Sequence, residues 1–149
     1  MKVVIQRVSE ASVKVDGNIV GSIGQGLMLL IGIDENDTSA DADWLVQKIL
    51  NLRIFSDDEG KMNLSVTDIS GELLCISQFT LMADYKKGNR PSFIRAARQE
   101  QAVPLFDYFK QQIAKSGLKT ESGIFAADMK VSLVNDGPVT IVMDSSTKN

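Results

Sequence analysis

The stretch from Gly26 to Ile33 is nearly all apolar, a composition that suits a strand covered on both faces better than one half in water. Such a strand needs neighbours on both edges and a layer above and below, so it predicts a sheet with this segment at its centre. Val3 and Ile5, then Val13 and Val15, alternate with polar residues, and Asp16-Gly17-Asn18 precedes Ile19 as a turn should. These signals predict an N-terminal antiparallel meander.

From Ser39 the period changes. Leu45, Ile49 and Leu52 recur at i, i+4 and i+7, with Val46 and Leu50 beside them and Asp41, Asp43, Gln47 and Lys48 opposite, which predicts an amphipathic helix. Asp37, Thr38 and Ser39 offer its N-cap, and Asp41 and Asp43 fall in its first turn, where the helix dipole favours anions. Arg53-Ile54-Phe55 reads as a short strand closed by the Asp57-Asp58-Glu59-Gly60 turn, and Glu72 to Phe79 as a longer one. A second helix is expected over about Glu100 to Ser116, with Phe106, Phe109 and Ile113 as its stripe, Leu105 and Ala102 at the edge, Pro104 in the first turn and Gly117 as the C′ residue. Met129 to Asn135 and Val139 to Met143 read as a closing hairpin around Asp136-Gly137-Pro138, followed by a polar, frayed tail from Asp144 to Asn149. Together they predict one α+β domain over residues 1–149, with a mainly antiparallel, curled or barrel-like sheet and two main helices.

The chain contains no histidine, so any chemistry must proceed without the commonest general base. Its one cysteine, Cys75, lies in the apolar run Leu73-Leu74-Cys75-Ile76 and reads as a small buried hydrophobe. Neither a metal site nor a nucleotide cofactor is implied: carboxylates are the only ligand type left in number, and Gly21 to Gly26 lacks phosphate-loop spacing. The longest apolar run, Leu27 to Ile31, is far short of a membrane span, and the expectation is a cytoplasmic protein. A net charge of −3 argues against a chain that coats nucleic acid through global charge. The densest cationic stretch, Lys86-Lys87-Gly88-Asn89-Arg90-Pro91, still offers a local basic loop, for which a solvated surface is the alternative reading.

Two runs stand out as chemistry-bearing: Ser77-Gln78-Phe79-Thr80-Leu81 and Asn135-Asp136-Gly137-Pro138-Val139-Thr140. With Lys87-Gly88-Asn89-Arg90-Pro91-Ser92-Phe93, they resemble the D-aminoacyl-tRNA deacylase family. Arg7-Val8 with Ala11-Ser12-Val13, Ile23 to Leu27, Leu52 to Phe55 and Gly60 to Asn63 follow the family order, so the likeness runs nearly end to end. The resemblance implies a homodimer that hydrolyses the ester joining a D-amino acid, or glycine, to the terminal ribose of tRNA while sparing L-aminoacyl-tRNA. It also implies a cis Gly137-Pro138 bond that reaches into the partner's pocket, where its carbonyls recognise the substrate's amino group. Ser77, Gln78, Phe79, Thr80, Ala102, Phe125 and Met129 would complete that pocket, Arg7 would brace the partner's tip, and Lys86, Lys87 and Arg90 are candidate tRNA contacts. Ala126 departs from the family's usual glycine, a change that is harmless unless the residue requires φ > 0.

An aminoacyl ester is already activated, so the site need only hold it, stabilise an oxyanion and place water. The Phe79 and Thr80 amides, at a strand end, are candidates for the oxyanion. A nucleophilic Thr80 would need a base, and its sequence neighbours Gln78, Asp84 and Lys86 stand at no triad spacing. Assistance by the vicinal 2′-hydroxyl is therefore preferred. Two other readings remain at this point: an RNA-binding barrel without catalysis, which should expose aromatics that the sequence pattern places mostly in buried positions, and a purely structural dimer clasped by the tip.

Overall fold

The computed structural model describes residues 1–148. β1 (Lys2–Val15) is the spine of the sheet: antiparallel β3 (Gly26–Gly32) pairs with its first half, β2 (Asn18–Ile23) with its second, and β8 (Lys130–Asp144) runs along its length. β3 has β1 on one edge and β6 (Glu72–Ser77) on the other, which gives the apolar run the central place its composition predicts. Leu27, Met28, Leu29 and Ile31 are all buried, so both faces of this strand are covered.

The sheet is mixed where a mainly antiparallel one was expected. β3 pairs with β6 in parallel, and β6 pairs in parallel with β7 (Thr120–Ser122), a strand not anticipated from the sequence. Parallel pairing requires a crossover of a dozen or more residues, and the two helices supply both crossovers. α1 (Ser39–Asn51) lies between β3 and β6, and α2 (Gln99–Ala114) between β6 and β7. β4 (Phe55–Ser56) and β5 (Met62–Leu64) form a separate small hairpin within the first crossover.

α1 begins as its sequence predicts. The Thr38 amide donates to the Asp41 carboxylate at 2.8 Å, one arm of a capping box. Asp43 serves a different end from the helix dipole, because its carboxylate accepts the Tyr108 hydroxyl at 2.6 Å and ties α1 to α2. Pro104 stands in the second turn of α2, not the first as expected, and the helix continues through it. Its exposed ring and the unbroken stripe of Leu105, Phe106, Phe109 and Ile113 show that burial of this face outweighs one missing hydrogen bond. The left-handed Gly117 (φ 81°) comes after the helix C-cap, Lys115, and the intervening Ser116.

Helices α1 and α2 cover one face of the sheet, where Val3, Ile5, Leu27, Leu29, Ile31, Leu73 and Cys75 meet Leu45, Ile49, Phe106 and Phe109. On the other face Val8, Val13, Ile23, Met28, Leu74 and Ile76 form a second core. The sheet curls over that second core, and β2 comes within reach of β7: a Cβ on Gly21 would lie 2.9 Å from the Ser122 carbonyl oxygen. This is the barrel-like shape, reached with mixed topology.

The final segment also departs from the expected hairpin. Both halves of β8 pair with β1, not with each other, and the four residues from Asp136 to Val139 bulge out opposite Arg7. The segment expected to fray is tied down at Ser145, which is buried and whose amide donates to the Met1 carbonyl at 2.9 Å, while Asn149 lies outside the described residues. Among the described residues no helix is long and apolar enough to cross a membrane.

Gly26 sits where β3 and β6 begin their parallel ladder, opposite Glu72, and a Cβ there would overlap the Glu72 main chain. Gly26→Ala should cost about 3 kcal/mol of stability, read as a lower midpoint in urea titration. An unchanged midpoint would mean that the ladder can shift.

Candidate active site

The β3–β6 pair ends together. The last register pair is Ile31 with Ser77, and the Gln78 amide makes a final bond to the Ile31 carbonyl at 2.8 Å. The chain then turns into a 3₁₀ helix, Phe79–Met82, whose first two amides, Phe79 and Thr80, have no acceptor among the described residues. Carboxyl ends of parallel strands are where open α/β sheets place ligands, and a cleft of about 480 Å³ opens here.

Ser77, Gln78 and Phe79 form one side of the cleft, Ala96, Ala97, Gln99 and Ala102 a second, and Phe125 to Met129 a third. The structure thus brings together Ser77, Gln78, Phe79, Ala102, Phe125 and Met129 from the sequence-derived set. Phe125 packs against Phe106 of α2 at 6.0 Å between ring centroids, and Phe79 meets the edge of Phe93 at 5.2 Å. The wall at Ala96 and Ala97 is clipped to the end of β3. Ala97 donates to the Ile33 carbonyl at 2.9 Å, and Arg95 pairs with the buried Asp34 carboxylate at 2.8 Å.

Thr80 is exposed and does not line the cleft. Its hydroxyl oxygen accepts a hydrogen bond from the Gln78 side-chain amide, and an amide is no general base. Asp84 instead accepts from the Lys86 main chain at 3.1 Å. Cys75 is fully buried outside the cleft, and burial pushes its thiol up to about 12. A thiol in that state is neither nucleophile nor ligand at neutral pH.

Sequence reasoning missed Asp128, whose carboxylate lies on the cleft rim and pairs with Lys130 at 3.0 Å. It also missed the small residues 96, 97 and 127 that leave the space open. No local pattern marks them, because they meet only in the folded chain. The expectation that aromatics are buried holds for Phe55, Phe106 and Phe109 and fails for Phe79 and Tyr85, which are exposed.

Gly137 and Pro138 are joined by a cis bond and stand exposed on the β8 bulge. They do not line the cleft of their own chain. Asn135 fastens the base of the bulge: its side-chain oxygen accepts the Val139 amide at 2.7 Å, and its amide donates to the Thr140 hydroxyl at 3.0 Å. Arg7 donates from Nε to the Asp136 carbonyl at 2.7 Å and from Nη1 to the Ile54 carbonyl at 2.6 Å. Arg7 thus ties the tip of its own chain to the segment after α1.

A family model described as D-Tyr-tRNA(Tyr) deacylase matches residues 4–144. The chain belongs to that deacylase family. A D-aminoacyl-tRNA deacylase of Flavobacterium psychrophilum is 57% identical over 149 residues, covering 99% of each chain, and one of Geotalea daltonii is 58% identical over 145 residues, covering 97% of each. Among solved structures, the c-Myc DNA unwinding element binding protein superposes with a TM-score of 0.91 at 44% identity, over 97% of this chain and 98% of that one. A probable eukaryotic D-amino acid tRNA deacylase shares the fold, with a TM-score of 0.83 at 17% identity, over 95% of this chain and 97% of that one.

One position in this deacylase-family cleft is under backbone strain. Ala126 has φ 65°, the left-handed region in which a Cβ is unfavourable, so the departure flagged from the sequence falls where it matters. Ala126→Gly should raise stability by up to about 1 kcal/mol, the relief of strain being partly offset by the freer unfolded chain. A fall in thermal midpoint would show that the methyl is used in packing. Cys75 should resist iodoacetamide at mildly alkaline pH in the folded protein and react fully in guanidinium, and rapid labelling of the folded protein would contradict its burial.

Proposed function

We propose that this chain hydrolyses the ester of D-aminoacyl-tRNA, and of glycyl-tRNA, in a cleft completed by the Gly137-Pro138 tip of a second copy. The observation that carries this reading is a main-chain site without a base among the described residues: two amides with no acceptor there, Phe79 and Thr80, next to a cleft whose one carboxylate among them, Asp128, is paired with Lys130. Amides held by the end of a ladder need no reorganisation to receive a developing oxyanion, and each donor of this kind contributes about 10²–10³ in rate. The proton transfer is supplied by the substrate: the vicinal 2′-hydroxyl of the terminal adenosine takes the proton of the attacking water while passing its own to the departing 3′-oxygen.

Chirality follows from fixing two of the four substituents at Cα, which assigns the places of the other two. With the ester oxygen on the amides and the amino group on the carbonyls of the tip, a D side chain points to solvent and an L side chain strikes the cleft wall. No side-chain pocket is used, so the identity of the D-amino acid matters little, and glycine is admitted. The rejection is steric and can exceed the 1–3 kcal/mol or so that a methylene supplies. Support for a two-copy site is the separation of the tip from its own cleft, together with the long free edge of β8, where Val134 and Val142 remain exposed. Lys86, Lys87 and Arg90, which form no ion pair among the described residues, are the candidates for phosphate contacts.

Incubation with D-Tyr-tRNA and L-Tyr-tRNA should release tyrosine from the D form alone, and release from neither would sink the proposal. A substrate ending in 2′-deoxyadenosine should be hydrolysed at least about a hundredfold more slowly, in line with loss of a general base. Pro138→Ala and the cleft-filling Ala127→Trp should each be inactive alone. Mixed and reannealed, they should recover roughly a quarter of wild-type activity, since half the dimers would carry one intact shared site. No recovery would place the tip outside the partner's cleft.

A further inference from the structure

Beyond the cleft the chain makes a loop with its own closure: Asp84 and Ser92 exchange main-chain bonds of 2.8 Å in both directions. Phe93 anchors the loop to Phe79 on the cleft wall. From the ends of this closed loop project Tyr85, 77% exposed, and Ile94, 80% exposed, the two most exposed large apolar side chains of the described residues. The Tyr85 hydroxyl has no hydrogen-bond partner among the described residues, whereas that of Tyr108 is bonded to Asp43. Lys86, Lys87, Arg90 and Arg98 flank these side chains in sequence and form no ion pair among the described residues. A net charge of −3 makes this concentration of free cations a local feature, not a reflection of overall composition.

We propose that Tyr85 is a stacking platform for the unpaired nucleotides that precede the terminal adenosine of the charged RNA. This rests on the function proposed above, which places that adenosine at the cleft. A flat ring left in water, followed in the same loop by cations that form no ion pair among the described residues, has the chemistry of single-strand binding: the cations track phosphates, and the ring accepts a base face of any identity. The loop is fastened to the wall that bears Phe79, so a base stacked there is held in fixed relation to the ester. Tyr85 is a positioning residue on this reading, because it does not touch the reacting atoms.

The test compares D-Tyr-tRNA with D-Tyr-adenosine, which lacks the upstream nucleotides. Tyr85→Ala should raise KM for D-Tyr-tRNA roughly tenfold with kcat unchanged, and Tyr85→Phe, which keeps the ring, should restore it. KM for D-Tyr-adenosine should be the same in all three proteins. Replacing Lys86 and Lys87 by alanine should flatten the salt dependence of log KM for the tRNA by about 1.4, two phosphate contacts at roughly 0.7 each. Equal losses on both substrates, no rescue by phenylalanine, or dissociation of the protein in Tyr85→Ala would each overturn the platform. If wild-type protein hydrolyses neither substrate, the functional reading falls and binding of uncharged tRNA decides this one. Weakening by alanine with retention by phenylalanine supports the platform, and equal affinity of the two variants overturns it.

Discussion

The parallel pairing of β3 with β6 is the constraint on which the rest of the molecule depends. Two strands that run the same way end at the same edge, and their carbonyls and amides stop being satisfied at the same level. Here that level is Ile31 and Ser77, with Gln78 making the last bond. The chain must turn there, and the turn leaves the Phe79 and Thr80 amides without acceptors among the described residues, beside the cleft. The helical crossover required by each parallel pair also explains why α1 and α2 cover one face while the curled sheet closes over the other. Gly26 permits this pairing to start, because only a residue without Cβ fits against the Glu72 main chain.

A second consequence follows from β8 being one long strand. Pairing with β1 on both sides of the bulge fixes both ends of residues 136–139, so the tip is held by two lengths of ladder as well as by Asn135 and Arg7. A hairpin would have been anchored on one side only. The same arrangement leaves β8 with an unpaired outer edge and with Val134 and Val142 in water, an arrangement that single chains normally avoid. The tip and the free edge lie on one element, which makes a second copy the natural completion of the site under the proposed function.

The cleft is lined by apolar side chains, alanines and a few polar groups, with main-chain amides at the strand end beside it, so under the proposed function a chain without histidine relies on its backbone. Thr80, the nucleophile candidate weighed from the sequence, accepts a hydrogen bond from Gln78 and has no base beside it among the described residues; Cys75 is buried and its thiol is pushed up to about 12. Electrostatic stabilisation by fixed amides depends on where the backbone is held, not on what titrates. Such a site is sensitive to backbone geometry, which gives the left-handed Ala126 its significance.

Much of the architecture was legible in the letters because it is written in local periods. The buried run at Gly26 to Ile33, the stripes of both helices, the Thr38 cap and the buried Cys75 follow from patterns a few residues long. Ser77 to Phe79, Phe125 and Met129 were legible as site residues through family likeness, and they do meet in one cleft. Strand direction was not legible, since an apolar run looks alike from either end and only the crossover decides its partner. Nor was the nature of the Asp136 to Val139 segment, because a hairpin turn and a bulge share the same Gly-Pro punctuation and differ only in which strand lies opposite. The sequence by itself determined which segments must be buried and where the chain can turn. Tertiary structure alone decided which ends coincide, and so where unpaired amides, small side chains and an exposed tyrosine come together, because contacts between distant residues leave no local period.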